Sequence, residues 1–265
     1  VNPDQYLTVQ FDEQTSILTL TLDRQDATKN QIGSGTILAL REVLYPERIK
    51  PRARGLILRS AKEKVFSTGA DIEGELKDLN SVEAVLFSSA GGEVFSLLTS
   101  LSCPSVALLS GFTLGGGLEL ALCCDFRIAT KSVRMGFPEI NLGVLPGWGG
   151  TQRLPRLIGQ SRALRMILSG DPVNAATGLE YGLVDELVDG FDDLLPAGQR
   201  LLGKYTAKSR SAVALARRAV HEGAALPLSA ALALEGEIFG LAWGTDDRVE
   251  GINAFMEKRK PKWPD

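Results

Sequence analysis

The chain is poor in the side chains that most often carry chemistry at neutral pH. Its 265 residues include one histidine, His221, set on a helix rich in arginine and alanine and read as a surface or packing residue. A Ser-His-Asp triad would have to recruit it, and no G-x-S-x-G turn supports one. Three cysteines, Cys103, Cys123 and Cys124, lack CxxC spacing. With no second histidine, a zinc site has no support. An odd count of thiols in apolar surroundings fits a reducing compartment. GxGxxG and GK[ST] are both missing, which removes a dinucleotide fingerprint and a P-loop. No signal peptide and no apolar run of about 18 residues able to cross a membrane are expected. Residues 105–124 are apolar, but glycines and a glutamate break them up. A soluble intracellular protein is the expectation. An excess of positive charge is also missing: the net charge is −3 and the pI about 5.4, against a nucleic-acid footprint. The basic run Lys258-Arg-Lys-Pro-Lys262 reads as a solvated chain end, with a phosphate contact as the second reading.

Hydrophobic residues (44%) suffice for a large core in one domain, or one domain with an appendage. Residues 7–11 and 17–22 alternate apolar and polar side chains, as in a half-buried hairpin turning near Glu13-Gln14. Helices are expected at 34–44, from an N-cap-like start at Ser81 to about Leu101, at 116–122, 151–158, 161–168 and 175–181. Strands are expected at 55–59, 105–109, 126–129 and 183–188, and almost unbroken amphipathic helix at 191–257. Strands alternating with helices make this an α/β chain. The core is placed at 1–195 and a helical region of the same functional unit at 196–265, with no disordered linker and no internal repeat.

Three segments carry possible chemistry. In Val65-Phe-Ser-Thr-Gly-Ala-Asp-Ile72, a Gly-Ala-Asp turn can present backbone N–H groups to a ligand oxygen, though an ordinary loop explains it too. Gly111-Phe-Thr-Leu-Gly-Gly-Gly-Leu-Glu119 puts a glycine turn before a helix start, where the first N–H groups have no intrahelical partner. Close packing, or a glutamate that merely complements the helix dipole, is the bland alternative. In the third segment, Glu139 of Phe137-Pro-Glu precedes Pro146-Gly-Trp-Gly-Gly-Thr-Gln-Arg153, where Gly149, Gly150 and Thr151 can open a helix. Alone, Glu139 reads as a surface residue. Glu119 and Glu139 lie too far apart to share a helix face, so only tertiary folding can join them.

Taken together and in order, these segments resemble the enoyl-CoA hydratase/isomerase (crotonase) family. The resemblance runs on to Gly244-Thr-Asp-Asp-Arg-Val-Glu-Gly-Ile-Asn-Ala-Phe-Met-Glu-Lys-Arg-Lys-Pro261 and so covers nearly the whole chain. It implies a spiral of ββα units with a helical C-terminal trimerisation region, as a homotrimer or a dimer of trimers. The implied substrate is an acyl-CoA thioester, with no cofactor besides the coenzyme A it carries and no membrane partner. The backbone N–H groups of Ala70 and Gly116 would form the oxyanion hole. Ser67, Thr68, Gly69, Ala70, Asp71, Ile72 and Gly116 would line the coenzyme A site. Glu119 and Glu139 match the two glutamates of the hydratases, Glu119 activating water and Glu139 protonating the α carbon of a trans-2-enoyl-CoA. Isomerases of the family generally keep the position of Glu139 and lose that of Glu119, so the pair favours hydration.

Alternatives within the resemblance are methylglutaconyl-CoA hydration, isomerisation and carbon–carbon lyase chemistry, on coenzyme A or carrier-protein thioesters. A non-catalytic RNA-binding relative ranks below them because of the acidic pI. The family's usual Arg-Pro-x-Ala-x-Asn reads here Arg24-Gln-Asp-Ala-Thr-Lys-Asn30, without the proline and one residue longer, and Thr68 replaces a common alanine. The implied location is the cytoplasm, or the mitochondrial matrix if a transit peptide has been removed.

Overall fold

Alternating hydrophobic strands set the frame of the chain, whose computed structural model describes residues 3–45 and 53–264. The expected hairpin is present: β1 (Leu7–Asp12) and β2 (Ile17–Leu22) pair antiparallel from Leu7↔Leu22 to Asp12↔Ile17. β3 (Gln31–Ile32) leads into α1 (Ser34–Leu44), with Ile37 and Leu40 in the core.

Three turns of one plan follow. The first is β4 (Gly55–Ser60), β5 (Val65–Ser67), β6 (Gly69–Ala70), a single π turn at Ile72–Leu76, and α2 (Ser81–Thr99). The second is β7 (Ser105–Leu109), β8 (Phe112–Leu114) and α3 (Gly116–Ala121). The third is β9 (Phe126–Thr130), β10 (Arg134–Gly136), a 3-10 helix at Pro138–Leu142 and α4 (Gly150–Ile158). Then come α5 (Gln160–Ser169), β11 (Val173–Asn174), α6 (Ala175–Tyr181), β12 (Glu186–Val188) and four helices: α7 (Phe191–Thr206), α8 (Arg210–Gly223), α9 (Leu228–Trp243) and α10 (Asp246–Met256).

The first strand of each turn joins a six-stranded sheet ordered β1-β2-β4-β7-β9-β12, parallel from β2 onward. β5, β8 and β10 run parallel in a second sheet, closed by antiparallel β11, while β3 and β6 form their own parallel pair. This is the expected spiral of ββα units. The repeat exists in space although no repeat is visible in the sequence. Its second-layer strands are two or three residues long, too short to carry a hydrophobic period.

Three expectations need correction. Asn80, not Ser81, caps α2: its side chain accepts from the nitrogens of Val82 and Glu83, and Glu83 reaches back to the Asn80 nitrogen at 2.9 Å, a capping box. β12 begins at Glu186, because the nitrogens of Leu183 and Val184 donate to Gly178 O in the turn after α6. By length and composition alone, α2 is apolar enough to cross a membrane, contrary to the expectation that no such segment exists. Glu83 and Glu93 are its only charged residues, and serine and glycine fill much of the rest. In this fold it lays Gly91, Val94, Phe95 and Leu98 against the core.

α7 runs across residue 195 and packs Leu194, Ala197 and Leu202 on the large sheet against Ile57, Val106, Leu108 and Ile128. α8 is tied to the body by a half-buried polar cluster. Asp125 accepts from Arg217 Nε at 2.8 Å and meets His221 Nε2 at 2.7 Å. Arg217 also donates to the carbonyls of Leu98, Thr99 and Leu101 at the end of α2. His221 is thus a packing residue, as expected. Arg259 of the basic run pairs with Glu250 and Glu257, and Lys258, Lys260 and Lys262 are exposed.

Candidate active site

The turn between β8 and α3 explains why Glu119 is where it is. Gly115 has φ +51° and ψ −128°, a conformation that a side chain would strain, and its N–H donates to Gly136 O at 2.9 Å. That bond joins the second spiral turn to the third. Glu119 follows one helical turn later, its own nitrogen on Gly115 O at 3.0 Å, and it is 1% exposed.

A buried carboxylate needs donors, and the loop before α4 supplies two. Trp148 N and Gly150 N each donate to Glu119 Oε1 at 2.7 Å. Burial raises the pKa of Glu119, while these two N–H groups and the charge of Arg153 act against the rise. Arg153 holds the same loop: Nη1 donates to Trp148 O at 2.8 Å and Nη2 to Ser96 Oγ at 3.1 Å, bracing the loop on α2.

The 3-10 helix after β10 delivers Glu139 to the same place. A Cβ on Gly115 would lie 2.7 Å from Glu139 Oε1, so the carboxyl rests on the glycine turn that launches the helix of Glu119. Glu139 Oε2 is buried and has no hydrogen-bond partner among the described residues. Burial, with a further contribution from the charge of Glu119, pushes the Glu139 pKa up to about 7. Its own backbone N–H opposes this, by more than the charge of Glu119 adds. The two glutamates therefore sense each other, which their spacing in sequence could not establish. Glu119 thus has two N–H donors on one oxygen, whereas Glu139 keeps one oxygen without a partner among the described residues.

The first spiral turn brings Ala70 beside Gly116. Gly69 has φ +90°, and a Cβ there would lie 3.0 Å from Leu114 O and 3.2 Å from Gly116 N. Only a residue without a side chain lets these backbones touch. A Cβ on Gly116 would in turn sit 3.6 Å from the Ala70 nitrogen. Two backbone amides thus lie side by side, one of them in the first turn of a helix, next to the pair of carboxyls. Such a group can polarise a carbonyl and move a proton on the atoms beyond it.

The remaining predicted residues divide into two sets. Thr68 and Ala70 are half-buried and Ile72 is exposed, so all three reach the surface of the loop. Ser67 and Asp71 point inward. Ser67 Oγ donates to Asn30 O at 2.7 Å and accepts from Gly69 N at 3.2 Å. Asp71 takes Arg24 Nη1 at 2.6 Å and Gly74 N at 3.0 Å, and the Arg24 guanidinium holds its carboxyl below the usual range. Arg24 and Asn30 bracket the loop that lacks the family's proline. Asn30 Nδ2 donates to Leu22 O, Ser60 Oγ and Phe66 O, and its Oδ1 accepts from Arg24 N. Sequence reasoning missed the two donors to Glu119 and the brace from Arg153. A tryptophan between two Gly-rich steps was the available signal, but backbone donors leave no mark in a side-chain pattern.

Residues 12–265 match the family model described as Enoyl-CoA hydratase/isomerase. The chain belongs to the enoyl-CoA hydratase/isomerase family. It is similar to the crotonyl-CoA hydratase of Syntrophomonas wolfei subsp. wolfei, at 36% identity over 96% of this chain and 97% of the relative. It is also similar to the short-chain-enoyl-CoA hydratase of Clostridium acetobutylicum, at 36% identity over 94% and 95%. Among solved structures, an enoyl-CoA hydratase from Bacillus anthracis superposes with a TM-score of 0.90 at 34% identity, covering 98% of this chain and 99% of that one. The enoyl-CoA hydratase/isomerase fold is therefore that of this chain, and an acyl-CoA thioester is the substrate class consistent with it.

Proposed function

We propose that the protein adds water across a trans-2-enoyl-CoA to give a 3-hydroxyacyl-CoA. The observation that carries this reading is the convergence of both glutamates, Glu119 anchored through one oxygen and Glu139 raised to a pKa of about 7. Crotonyl-CoA and short-chain-enoyl-CoA hydratases among its relatives support it.

The thioester carbonyl oxygen accepts from the N–H groups of Ala70 and Gly116. Polarisation makes C3 electrophilic, and water, relieved of a proton by ionised Glu119, attacks there. Its oxygen forms the C3–O bond as the C2=C3 pair moves into an enolate on the held oxygen. Loss of one such donor typically costs about 3 kcal/mol in the barrier. Protonated Glu139 then gives its proton to C2. The cycle closes when the proton gained by Glu119 passes through water to Glu139. An isomerase needs no water-activating base, so it leaves Glu119 without a task.

The surface of residues 67–72 is proposed to receive the pantetheine and nucleotide, with Arg24 and Asn30 fixing its shape. The C-terminal helices are proposed to assemble as a homotrimer or a dimer of trimers. Leu228, Leu232, Phe239 and Trp243 on α9 and Phe255 and Met256 on α10 are all exposed in the single chain, and large exposed apolar side chains gathered on two helices are what an association surface offers. Cytoplasmic placement is favoured by three free, buried thiols. Incubation with crotonyl-CoA should yield a product heavier by one water with the conjugated absorbance gone; recovery of unchanged substrate from folded protein removes the hydratase reading.

A further inference from the structure

Resting on the hydratase reading, we propose that the Trp148 indole is the stop of the acyl pocket and restricts the enzyme to short acyl chains. The ring is 4% exposed and held on two sides by glycines. A Cβ on Gly116 would meet its Cζ3 at 2.3 Å, and a Cβ on Gly91 would meet its Nε1 at 2.3 Å. Both approaches are possible only because neither neighbour has a side chain. For Gly91 this gives a steric reason for a residue that weakens a helix interior relative to alanine. Phe87 and Phe95 pack on the ring at centroid distances of 5.3 Å each, and Nε1 donates to Phe87 O at 3.4 Å.

This places the ring at the reacting carbons. The point 2.3 Å from Trp148 Cζ3 is also 3.6 Å from the Ala70 nitrogen, one of the two amides that hold the carbonyl oxygen. The main chain of the same residue holds Glu119 at 2.7 Å, the carboxylate that works at C3. C1 to C3 therefore occupy the space that Trp148 backs, and any carbons beyond C3 must pass the indole. The ring is braced from α2 by Phe87 and Phe95 and cannot swing aside without opening that packing. Each methylene added beyond C4 has to displace this wall. Discrimination by one methylene in an apolar pocket is typically about 10- to 200-fold.

The test measures kcat/KM for trans-2-enoyl-CoA substrates of increasing length, crotonyl to decenoyl, on wild type, Trp148→Phe and Trp148→Ala. The backbone N–H to Glu119 survives in both variants, so the readout is the ratio of long-chain to short-chain kcat/KM and not the absolute rate. Wild type is expected to fall steeply with length. Trp148→Ala is expected to raise the decenoyl-to-crotonyl ratio at least tenfold, with Trp148→Phe between. If the alanine variant does not fold, the phenylalanine variant must move the ratio the same way. A ratio unmoved in the folded variants, or a wild type that handles decenoyl-CoA as well as crotonyl-CoA, overturns the assignment of Trp148 alone. A wild type that hydrates no enoyl thioester overturns the underlying reading as well.

Discussion

Trp148 N lies 2.7 Å from Glu119 Oε1, and this contact locks the helix that opens at Gly116 to the loop that opens α4. Gly150 N makes the same bond to the same oxygen at 2.7 Å. The carboxylate is thus oriented from the main chain, which no side-chain substitution elsewhere in the loop can replace.

Glu139 should govern the alkaline limb of activity. Its pKa of about 7 means that the acid form needed at C2 is lost as pH rises through neutrality. kcat/KM for crotonyl-CoA should fall above about pH 7, and the residual activity of Glu139→Gln should lack that limb. A profile unchanged in the variant would assign the limb to another group.

The same residue should weaken the fold at high pH. A carboxyl raised from 4.5 to about 7 binds more protons folded than unfolded, so stability falls as pH climbs through that interval. Glu139→Gln should therefore be more stable than wild type at pH 8, by about 1 kcal/mol after discounting for partial exposure, with little difference at pH 4. Thermal melts at the two pH values read this directly. Equal gains at both would mean that ionisation is not the cause.

Arg153 acts through Trp148 and Glu119 and is a positioning residue. Arg153→Met removes the bonds to Trp148 O and Ser96 Oγ and a charge that favours ionised Glu119. kcat should drop by about 10- to 100-fold, the worth of a charge-assisted hydrogen bond, with KM nearly unchanged. Arg153→Lys should recover part of it. A change confined to KM would place Arg153 in substrate binding instead.

The Arg24–Asp71 pair at 2.6 Å should shape the coenzyme surface and not the chemistry. Arg24→Ala is expected to raise KM several-fold and lower the melting temperature while leaving kcat within about threefold, since the pair touches neither glutamate. Free coenzyme A as an inhibitor should weaken in parallel. A loss in kcat with KM intact would contradict this.

The hairpin, α1, β4, β7 and the first residues of α3 were legible because hydrophobic alternation, helical spacing and glycine punctuation are local signals. The strands at 65–67, 69–70, 112–114 and 134–136 were not, since two or three residues carry no period and form only because the spiral stacks them. The same limit applies to the site. Glu119 and Glu139 stood out by their glycine-rich settings, whereas their meeting depends on Gly115 donating to Gly136 O, a contact between two spiral turns. Trp148 was visible as a letter but not as a donor, because its bond to Glu119 uses the backbone that every residue shares.

Assembly is open to a direct mass measurement. Light scattering should report a threefold or sixfold multiple of the 28.5 kDa chain, and Phe255→Asp on α10, where Phe255 is 81% exposed in the single chain, should lower it. A monomer in the wild type would remove the proposed role of the C-terminal helices.

The proposed hydration needs both carboxyls, and rates on crotonyl-CoA with Glu119→Gln and Glu139→Gln test this most directly. Wild type should bleach the conjugated thioester absorbance, and each variant should be slower by at least about a hundredfold, as expected for loss of a positioned acid or base. A near-normal rate in either variant, with the protein folded, would contradict the account.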